Sequence, residues 1–483
     1  MIVKLETVMK LFFKRKKDKV SSLSYTQPKK LPKPLKLISK ILAILLVVLA
    51  ILGFGMYLGQ KYSIKSILPK ALPKLTLKKE PKEDQNIVFF SEIYNLIKNN
   101  YWDKSMDDTG IANLYKLAID KLTNDTKPLA SPDETGIKKL VADIIKPMNE
   151  EQRKNFLTQL SDVVLQNLKP FGRSRLYVEK QVTDLTNQVK NVNPSEDLYA
   201  NLGVTKETTQ EQVTQTYESK LAELKAQPQT PEVQQKIASL QKAYDTIGDE
   251  DARKVYDTSG VESTVSYRLI NPRIFYMHLI IFSPTTLQDI NRASQRVDNK
   301  GSELDTLILD LRGNVGGLID GLQYFLGPFI GNNQYAYQFF SRGETTDYKT
   351  KIGWLPSLMR YKKVIVLING GCQSSTELFA VTLKKYNVGV LVGTKTKGWG
   401  TIEKVEPIKT QPFGNEKYSV LLVEQLTLRE DGQSIEGLGV DPNINIANAG
   451  WEKELYQRFN NQEIVDIVKE LLKPDIEALT KKP

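Results

Sequence analysis

The residues with the clearest chemical potential lie between positions 369 and 403. An apolar run at 363–368 ends in a glycine pair, Gly370-Gly371, and opens at Ser374 into a helix-like segment. A strand, a tight turn and a helix start place the hydroxyl on the turn, with backbone N–H groups of the helix pointing at whatever it attacks. The pattern therefore predicts a hydroxyl group on a turn that is a natural place for an oxyanion hole.

Four motifs resemble, in the same order, those of the C-terminal processing, or tail-specific, serine peptidases. Residues 372–377, Cys-Gln-Ser-Ser-Thr-Glu, resemble the family's Ser-Ala-Ser-Ala-Ser-Glu segment, whose nucleophile maps to Ser374. Residues 307–318 are similar to its Leu-Asp-Leu-Arg-x-Asn-x-Gly-Gly signature, and residues 390–400 and 437–442 resemble its two later motifs.

This resemblance covers roughly residues 264 to 446. It implies an α/β peptidase core, a mixed sheet with flanking helices of the ClpP/crotonase type. It also implies an oxyanion hole formed by the N–H groups of Gly317 and Ser375.

The chain departs from this family at the general base. Trp399 stands where the family has a catalytic lysine, and Glu403 where it usually has a glutamine that orients that lysine. A lysine base must be neutral, so burial has to lower its pKa from about 10.4, whereas an indole N–H is only a donor. Lys397 is the natural substitute because alternate strand residues share a face, although its plainest interpretation is a solvated lysine. Two hypotheses follow: a serine endopeptidase using Ser374 and Lys397, or a catalytically silent peptide-binding scaffold.

Other polar residues of this region have structural interpretations. Asp310 and Arg312 suit an ion pair as well as they suit substrate contact. Cys372 suits a small apolar filler, although a nucleophilic cysteine at a helix start is chemically possible. The only histidine, His278, lies in a strand-like run and makes a Ser-His-Asp triad a poor choice.

The N-terminal part has the pattern of a membrane anchor. Residues 41–60 are uncharged and dense in Leu, Ile and Val, and as a helix they would cover about 30 Å. Residues 1–40 carry twelve Lys or Arg and two acids, a charge of +10 out of the chain's +11, so the basic balance does not indicate a nucleic-acid surface. We expect a single-pass membrane protein with a basic cytoplasmic tail (1–40), a transmembrane helix in the lipid bilayer (41–60) and extracytoplasmic C-terminal domains. A cleaved signal peptide is the alternative.

Composition and periodicity divide the remaining chain. Residues 61–84 are rich in Lys and Pro, which predicts a linker. In residues 85–190 apolar residues recur at helical intervals, which predicts a helical region. Residues 191–262 resemble a J domain, the helical hairpin of chaperone partners, except that Gln227-Pro228-Gln229 replaces the family's His-Pro-Asp. The resemblance implies this fold without stimulation of a chaperone ATPase. The peptidase core then occupies 263–450, and a helical tail occupies 451–483.

Several classes of protein are disfavoured. One cysteine excludes an intramolecular disulfide, and no Cys/His cluster predicts a metal site. Phosphate loops and basic-aromatic modules are not apparent, so we expect no cofactor and no nucleic-acid partner. We expect a polypeptide partner, cleaved if the site is active and bound if it is not; the oligomeric state is left open.

Overall fold

A computed structural model describes residues 84–298, 303–429 and 431–480. The predicted basic tail, the predicted span at 41–60 and nearly all of the predicted linker lie outside the described residues.

Helices dominate the first part of the described chain. Each of the first four begins after an Asp or Asn whose side chain accepts a hydrogen bond from an N–H of the first turn. Their apolar faces share one buried core. The region predicted as helical also supplies one strand. The elements are α1 (Gln85–Asn100), α2 (Asp108–Thr123), α3 (Glu134–Ile145), α4 (Glu150–Gln166), β1 (Arg175–Val178) and α5 (Glu179–Lys190).

The J-like unit follows as four helices with a small core of their own. Tyr217 and Tyr244 stack at the centre, with ring centroids 3.9 Å apart. The two ends of the unit lie side by side because Val192 and Val261 pair in an antiparallel bridge. The helices are α6 (Leu198–Leu202), α7 (Gln210–Ala226), α8 (Pro231–Ile247) and α9 (Glu250–Ser259).

A six-stranded sheet carries the residues of the predicted site. Its order is β11-β8-β7-β4-β3-β2, and every pair is parallel except β2 with β3. Its central strands are near-continuous apolar runs because both faces are covered. The strands are β2 (Val265–Asn271), β3 (Ile274–Leu279), β4 (Thr306–Asp310), β7 (Lys363–Ile368), β8 (Val390–Gly393) and β11 (Ile444–Asn445).

A second, antiparallel sheet joins the N-terminal helices to the rest of the fold. Its order is β1-β10-β5-β6, with β9 also paired to β10. Tyr418, Val420 and Leu422 of β10 enter the core of the N-terminal helices. The remaining strands are β5 (Tyr335–Ser341), β6 (Glu344–Lys349), β9 (Thr401–Pro407) and β10 (Tyr418–Leu428).

Helices cover the two faces of the six-stranded sheet. Leu307 and Leu309 of β4 face the core that includes α10 (Thr286–Asp298) and α14 (Ser375–Lys385). Ile308 faces the opposite core, which includes α15 (Trp451–Phe459) and α16 (Gln462–Thr480). Alternation along the strand therefore places Asp310 on the α16 side. Between β4 and β7 in the sequence there are also short elements: a 3₁₀ turn at Ile319–Gly321 and the single-turn helices α11 (Leu322–Phe325), α12 (Gly327–Ile330) and α13 (Pro356–Met359).

Two predictions are corrected here. In the ranges that the structure describes, no helix is long and apolar enough to cross a membrane. The longest, α16, has 19 residues but carries seven charged side chains and buries one face only. The fold class is therefore a mixed α/β core with flanking helices and a J-like unit, without the predicted transmembrane helix in its described part. The predicted single-pass membrane location, cytoplasmic N-terminus included, is corrected on the same finding: none of the described helices could cross a membrane.

Candidate active site

Ser374 occupies the turn between β7 and α14, at the N-cap of the helix. Its φ of 55° and ψ of −124° are a conformation that residues with a Cβ rarely adopt, at a cost of about 1–3 kcal/mol. The backbone N–H of Ser374 donates to Glu377 Oε2 at 3.0 Å. The strained turn holds the serine partly exposed at the carboxyl end of the parallel strands.

The glycine loop after β4 lies directly against this serine. A Cβ at Gly316 would lie 2.8 Å from the Cβ of Ser374, and one at Gly317 would lie 2.1 Å from the Phe282 carbonyl oxygen, so neither position has room for a side chain. Ser375 Oγ donates to the Gly317 carbonyl at 3.1 Å. Among the described residues, the N–H groups of Gly317 and Ser375 have no hydrogen-bond partner. The structure thus brings Ser374, Gly317 and Ser375 together.

Asn314 holds the glycine loop to its neighbours. Its buried side chain accepts from the Gly316 N–H at 2.9 Å and from Thr376 Oγ1 at 2.7 Å, and donates to the Leu279 carbonyl at 2.9 Å. One amide therefore connects the loop, helix α14 and strand β3.

Glu377 joins the Ser374 turn to the loop that carries Trp399. Its Oε2 accepts from the N–H groups of Ser374 at 3.0 Å and Trp399 at 2.7 Å. Its Oε1 accepts from the Gly398 N–H at 2.7 Å and from Thr396 Oγ1 at 2.5 Å. Burial raises the pKa of Glu377 above its ordinary value, and the four donors oppose that rise. A fully buried carboxyl group thus sets the position of two loops.

The Trp399 indole is held from two sides. Its Nε1–H donates to Glu403 Oε1 at 3.0 Å, and the Arg173 guanidinium carbon lies 3.5 Å from the ring centroid. Arg173 in turn donates two hydrogen bonds to Glu436 Oε1, at 2.9 and 3.1 Å, and Glu436 Oε2 accepts from the Gly400 N–H at 2.8 Å. Burial raises the pKa of Glu403 above its ordinary value, against its side-chain donors. Indole, guanidinium and two carboxyl groups form one connected cluster.

Lys397 lies in the same loop, but its side chain is exposed. Its backbone N–H donates to the Cys372 carbonyl at 3.0 Å, which fixes the main chain two residues from Ser374. Over the described ranges the ammonium group of Lys397 has no ion pair and no hydrogen bond. The backbone of Lys397 therefore lies near the serine, but its side chain, the candidate base, extends into solvent.

The other candidates have structural positions. Burial raises the pKa of the Cys372 thiol to about 12, and its Sγ donates to the Leu311 carbonyl at 3.0 Å. The Nε2 of His278 lies 3.2 Å from the Arg312 carbonyl oxygen. Asp310 and Arg312 form an ion pair at 2.6 Å. Burial by itself raises the pKa of Asp310, but Arg312 brings it below its ordinary value.

Three residues of this region had no local sequence signal. Arg173 comes from the loop before β1, Glu436 from the turn after β10, and Asp475 from α16, where it contacts Arg312 at 2.8 Å. Each reaches the site through tertiary contacts only, so no spacing in the sequence could reveal it.

Comparison with known proteins identifies two domains. Residues 273–446 match Peptidase family S41, and residues 197–257 match the DnaJ domain. A carboxy-terminal-processing protease of Bartonella bacilliformis is 27% identical over 217 residues, which cover 44% of this chain and 46% of that protein. The carboxy-terminal processing protease CtpA of Bacillus subtilis is 27% identical over 214 residues, 44% of this chain and 42% of that protein.

Among solved structures, the photosystem II D1 C-terminal processing protease aligns with a TM-score of 0.43 and 13% identity, over 76% of this chain and 94% of that one. The chain spans less than half the length of the two curated relatives. The family matches confirm both predicted resemblances. Residues 273–446 are thus a domain of Peptidase family S41, related to the carboxy-terminal processing proteases, and residues 197–257 are a DnaJ domain.

Proposed function

We propose that the S41 domain binds polypeptide segments beside Ser374 without Ser-Lys catalysis. The observation that carries this proposal is the Trp399 indole, which donates to Glu403 and stacks under Arg173. The position of the family's base therefore holds a side chain that donates a hydrogen bond and cannot accept a proton. Without an acceptor, the Ser374 hydroxyl is a weak nucleophile.

The surroundings of Ser374 suit a peptide ligand. The unpartnered N–H groups of Gly317 and Ser375 are donors for a peptide carbonyl oxygen. Val315, in the glycine loop, is 39% exposed, and Leu438, whose glycine neighbours contact the loop at 398–400, is 43% exposed. Val315 precedes Gly316, which lies against Ser374, and Leu438 lies between two glycines that contact the Trp399 loop, so we infer a ligand with apolar residues.

The alternative is a serine endopeptidase with Lys397 as its base. The strained backbone of Ser374 favours it, because a binding surface does not need that strain. Ser374 Oγ would bond to the peptide carbonyl carbon while its proton passes to a neutral Lys397 amine, and Gly317 and Ser375 would hold the oxyanion. The lysine would return the proton to the leaving amine as the C–N bond breaks, and water would release the acyl group by the same steps. This mechanism requires the exposed Lys397 side chain to move into the site.

Cleavage of an unstructured fluorescent polypeptide separates the two. If the domain only binds, wild type and Ser374→Ala give the same background rate, and both bind apolar C-terminal peptides in fluorescence anisotropy. Wild-type turnover above the Ser374→Ala rate refutes the binding-only function. Loss of that turnover in Lys397→Ala, but not in the matched variant Lys395→Ala, would assign the base. Absence of peptide binding and cleavage together refutes both functions.

A gain-of-function variant tests the same reasoning from the other side. Trp399→Lys returns a proton acceptor to the loop, so we expect slow, Ser374-dependent turnover. Trp399→Leu is its control, because it removes the indole without adding an amine.

We further propose that the DnaJ domain is a docked module and does not activate a chaperone ATPase. Gln229 Nε2, in the loop between α7 and α8, donates to the carbonyls of Gln227 at 2.8 Å and Leu224 at 3.2 Å, which caps α7. Asp249, the N-cap of α9, pairs with Arg292 and Arg296 of α10. The first contact gives the tripeptide a structural role, and the second ties the unit to the S41 domain.

A further inference from the structure

Helix α16 reaches the two loops that form the Ser374 site. Asp475 Oδ2 accepts from Arg312 Nη1 at 2.8 Å, and its Oδ1 accepts from Asn369 Nδ2 at 2.8 Å. Arg312 lies in the loop after β4, and Asn369 directly follows β7. One carboxylate therefore connects the glycine loop and the serine turn to the C-terminal helix, which lies outside the matched residues 273–446.

Asn369, which Asp475 contacts, also binds the turns that contain Gly313 and Gly371. Its Oδ1 accepts from the N–H groups of Gly313 at 3.1 Å and Gly371 at 2.9 Å. The two turns touch, because a Cβ at Gly371 would lie 2.9 Å from the Gly313 Cα. Only one orientation of the Asn369 amide satisfies both N–H donors, and in that orientation its Nδ2 needs an acceptor, which Asp475 supplies.

The helix is anchored independently of this carboxylate. Val468 and Leu472 are fully buried in the core beneath the sheet. Arg312 Nη1 also donates to the Leu471 carbonyl at 2.7 Å. A change at Asp475 therefore leaves the apolar attachment of α16 in place.

We propose that Asp475 is a positioning residue for the Ser374 turn. Its carboxylate fixes the Asn369 amide, the amide fixes the turns at Gly313 and Gly371, and these turns set Ser374 against the glycine loop. The inference rests on the proposed function, in which this turn is the ligand site. It adds that ligand affinity depends on a residue of the C-terminal helix.

The test compares Asp475→Asn with the matched variant Glu477→Gln, an exposed acid on the same helix. An asparagine has one acceptor oxygen for the two donors, Arg312 and Asn369, so one contact is lost. In full-length protein without ligand, we expect amide hydrogen exchange at Gly313 and Gly371 to become faster by about tenfold. Apolar-peptide affinity in fluorescence anisotropy should fall with it, and Glu477→Gln should match wild type.

The double exchange Asn369→Asp with Asp475→Asn distinguishes positioning from bulk stability. It reverses donor and acceptor between the two side chains: the new carboxylate accepts from both glycine N–H groups and from the new amide, whose oxygen still accepts from Arg312. We expect slow exchange to return. Unchanged exchange in Asp475→Asn, or no rescue in the double variant, overturns the role of Asp475. A wild type that binds no peptide overturns the proposed function instead, because the exchange measurements need no ligand.

Discussion

The substitution Glu377→Gln tests whether one buried carboxyl group holds the Ser374 turn to the Trp399 loop. Each carboxyl oxygen accepts two hydrogen bonds: Oε1 from Thr396 and Gly398, and Oε2 from Ser374 and Trp399. A glutamine has the same shape but only one acceptor oxygen. Its NH₂ group must face one of these pairs, donor against donor.

The expected cost follows from this geometry. A hydrogen bond to a charged group contributes about 1.5–3 kcal/mol, and two are lost. Removal of a buried charge recovers part of that loss, because burial already raises the pKa of Glu377 and so disfavours its charged form. We expect the free energy of unfolding to fall by about 2–4 kcal/mol. We also expect the loss to be local, with faster exchange at the amides of Ser374 and Trp399.

Urea unfolding gives the free energy, and amide hydrogen exchange locates the change. The matched control is Glu470→Gln, which replaces an exposed glutamate on α16 and should leave both measurements at their wild-type values. If the free energy of unfolding falls by less than about 0.5 kcal/mol and exchange at both amides stays at the wild-type rate, Glu377 does not hold the two loops together.

Other perturbations have equally definite outcomes. Arg173→Ala removes the ion pair to Glu436 and the stack on Trp399, so the free energy of unfolding in urea should fall by about 1–3 kcal/mol. An unchanged free energy would show that the cluster does not stabilise the fold. Burial raises the pKa of Asp245 to about 7 from 3.8, so its contribution is largest below pH 4 and is lost as pH rises toward 7. Asp245→Asn should make the free energy of unfolding less dependent on pH between 4 and 7. A pH dependence identical to that of wild type would show that Asp245 is not its source. Cys372 should resist alkylation at pH 8 in the folded chain and react after unfolding; rapid native labelling would mean an open site. Wild type should not stimulate a chaperone ATPase, and stimulation would show that residues 227–229 are not its determinant.

Local sequence signals predicted the Ser374 turn well. An apolar strand, a glycine pair and a helix start are set by neighbours in the chain, and the structure has them as β7, the turn and α14. The glycine loop was predicted from the family resemblance of residues 307–318, and the structure adds the physical reason: Gly316 and Gly317 have no room for a side chain. The DnaJ domain was recognisable because residues 191–262 resemble a J domain, and the family match to residues 197–257 confirms the resemblance.

Long-range contacts were beyond such reasoning. Arg173 and Glu436 are 263 residues apart in sequence, and Asn369 and Asp475 are 106 apart, so no periodicity relates them. For Lys397 the sequence left two interpretations, a base and a solvated lysine, and its side chain is exposed; strand alternation, which favoured the base, does not apply to the loop that Lys397 occupies. The membrane prediction rested on the length of one apolar run. The described helices instead place their apolar faces against sheets and other helices.

The paired ends of the DnaJ unit have a consequence for how this chain tolerates change. The strand-like bridge between Val192 and Val261 is reinforced by Asn191, whose carbonyl accepts from the Glu262 N–H at 2.9 Å. The chain therefore leaves the S41 fold and returns to it at one point, and closing a longer excursion adds little entropic cost. For the rest of the molecule the unit is therefore an insertion whose two ends meet at one place. Its length and interior can change without moving this point of entry. Removal of the unit would cost the host fold the bridge, the Asp249 pairs with α10, the packing of α8 on β2 and the hydrogen bond from the Ser263 N–H to Thr246 Oγ1.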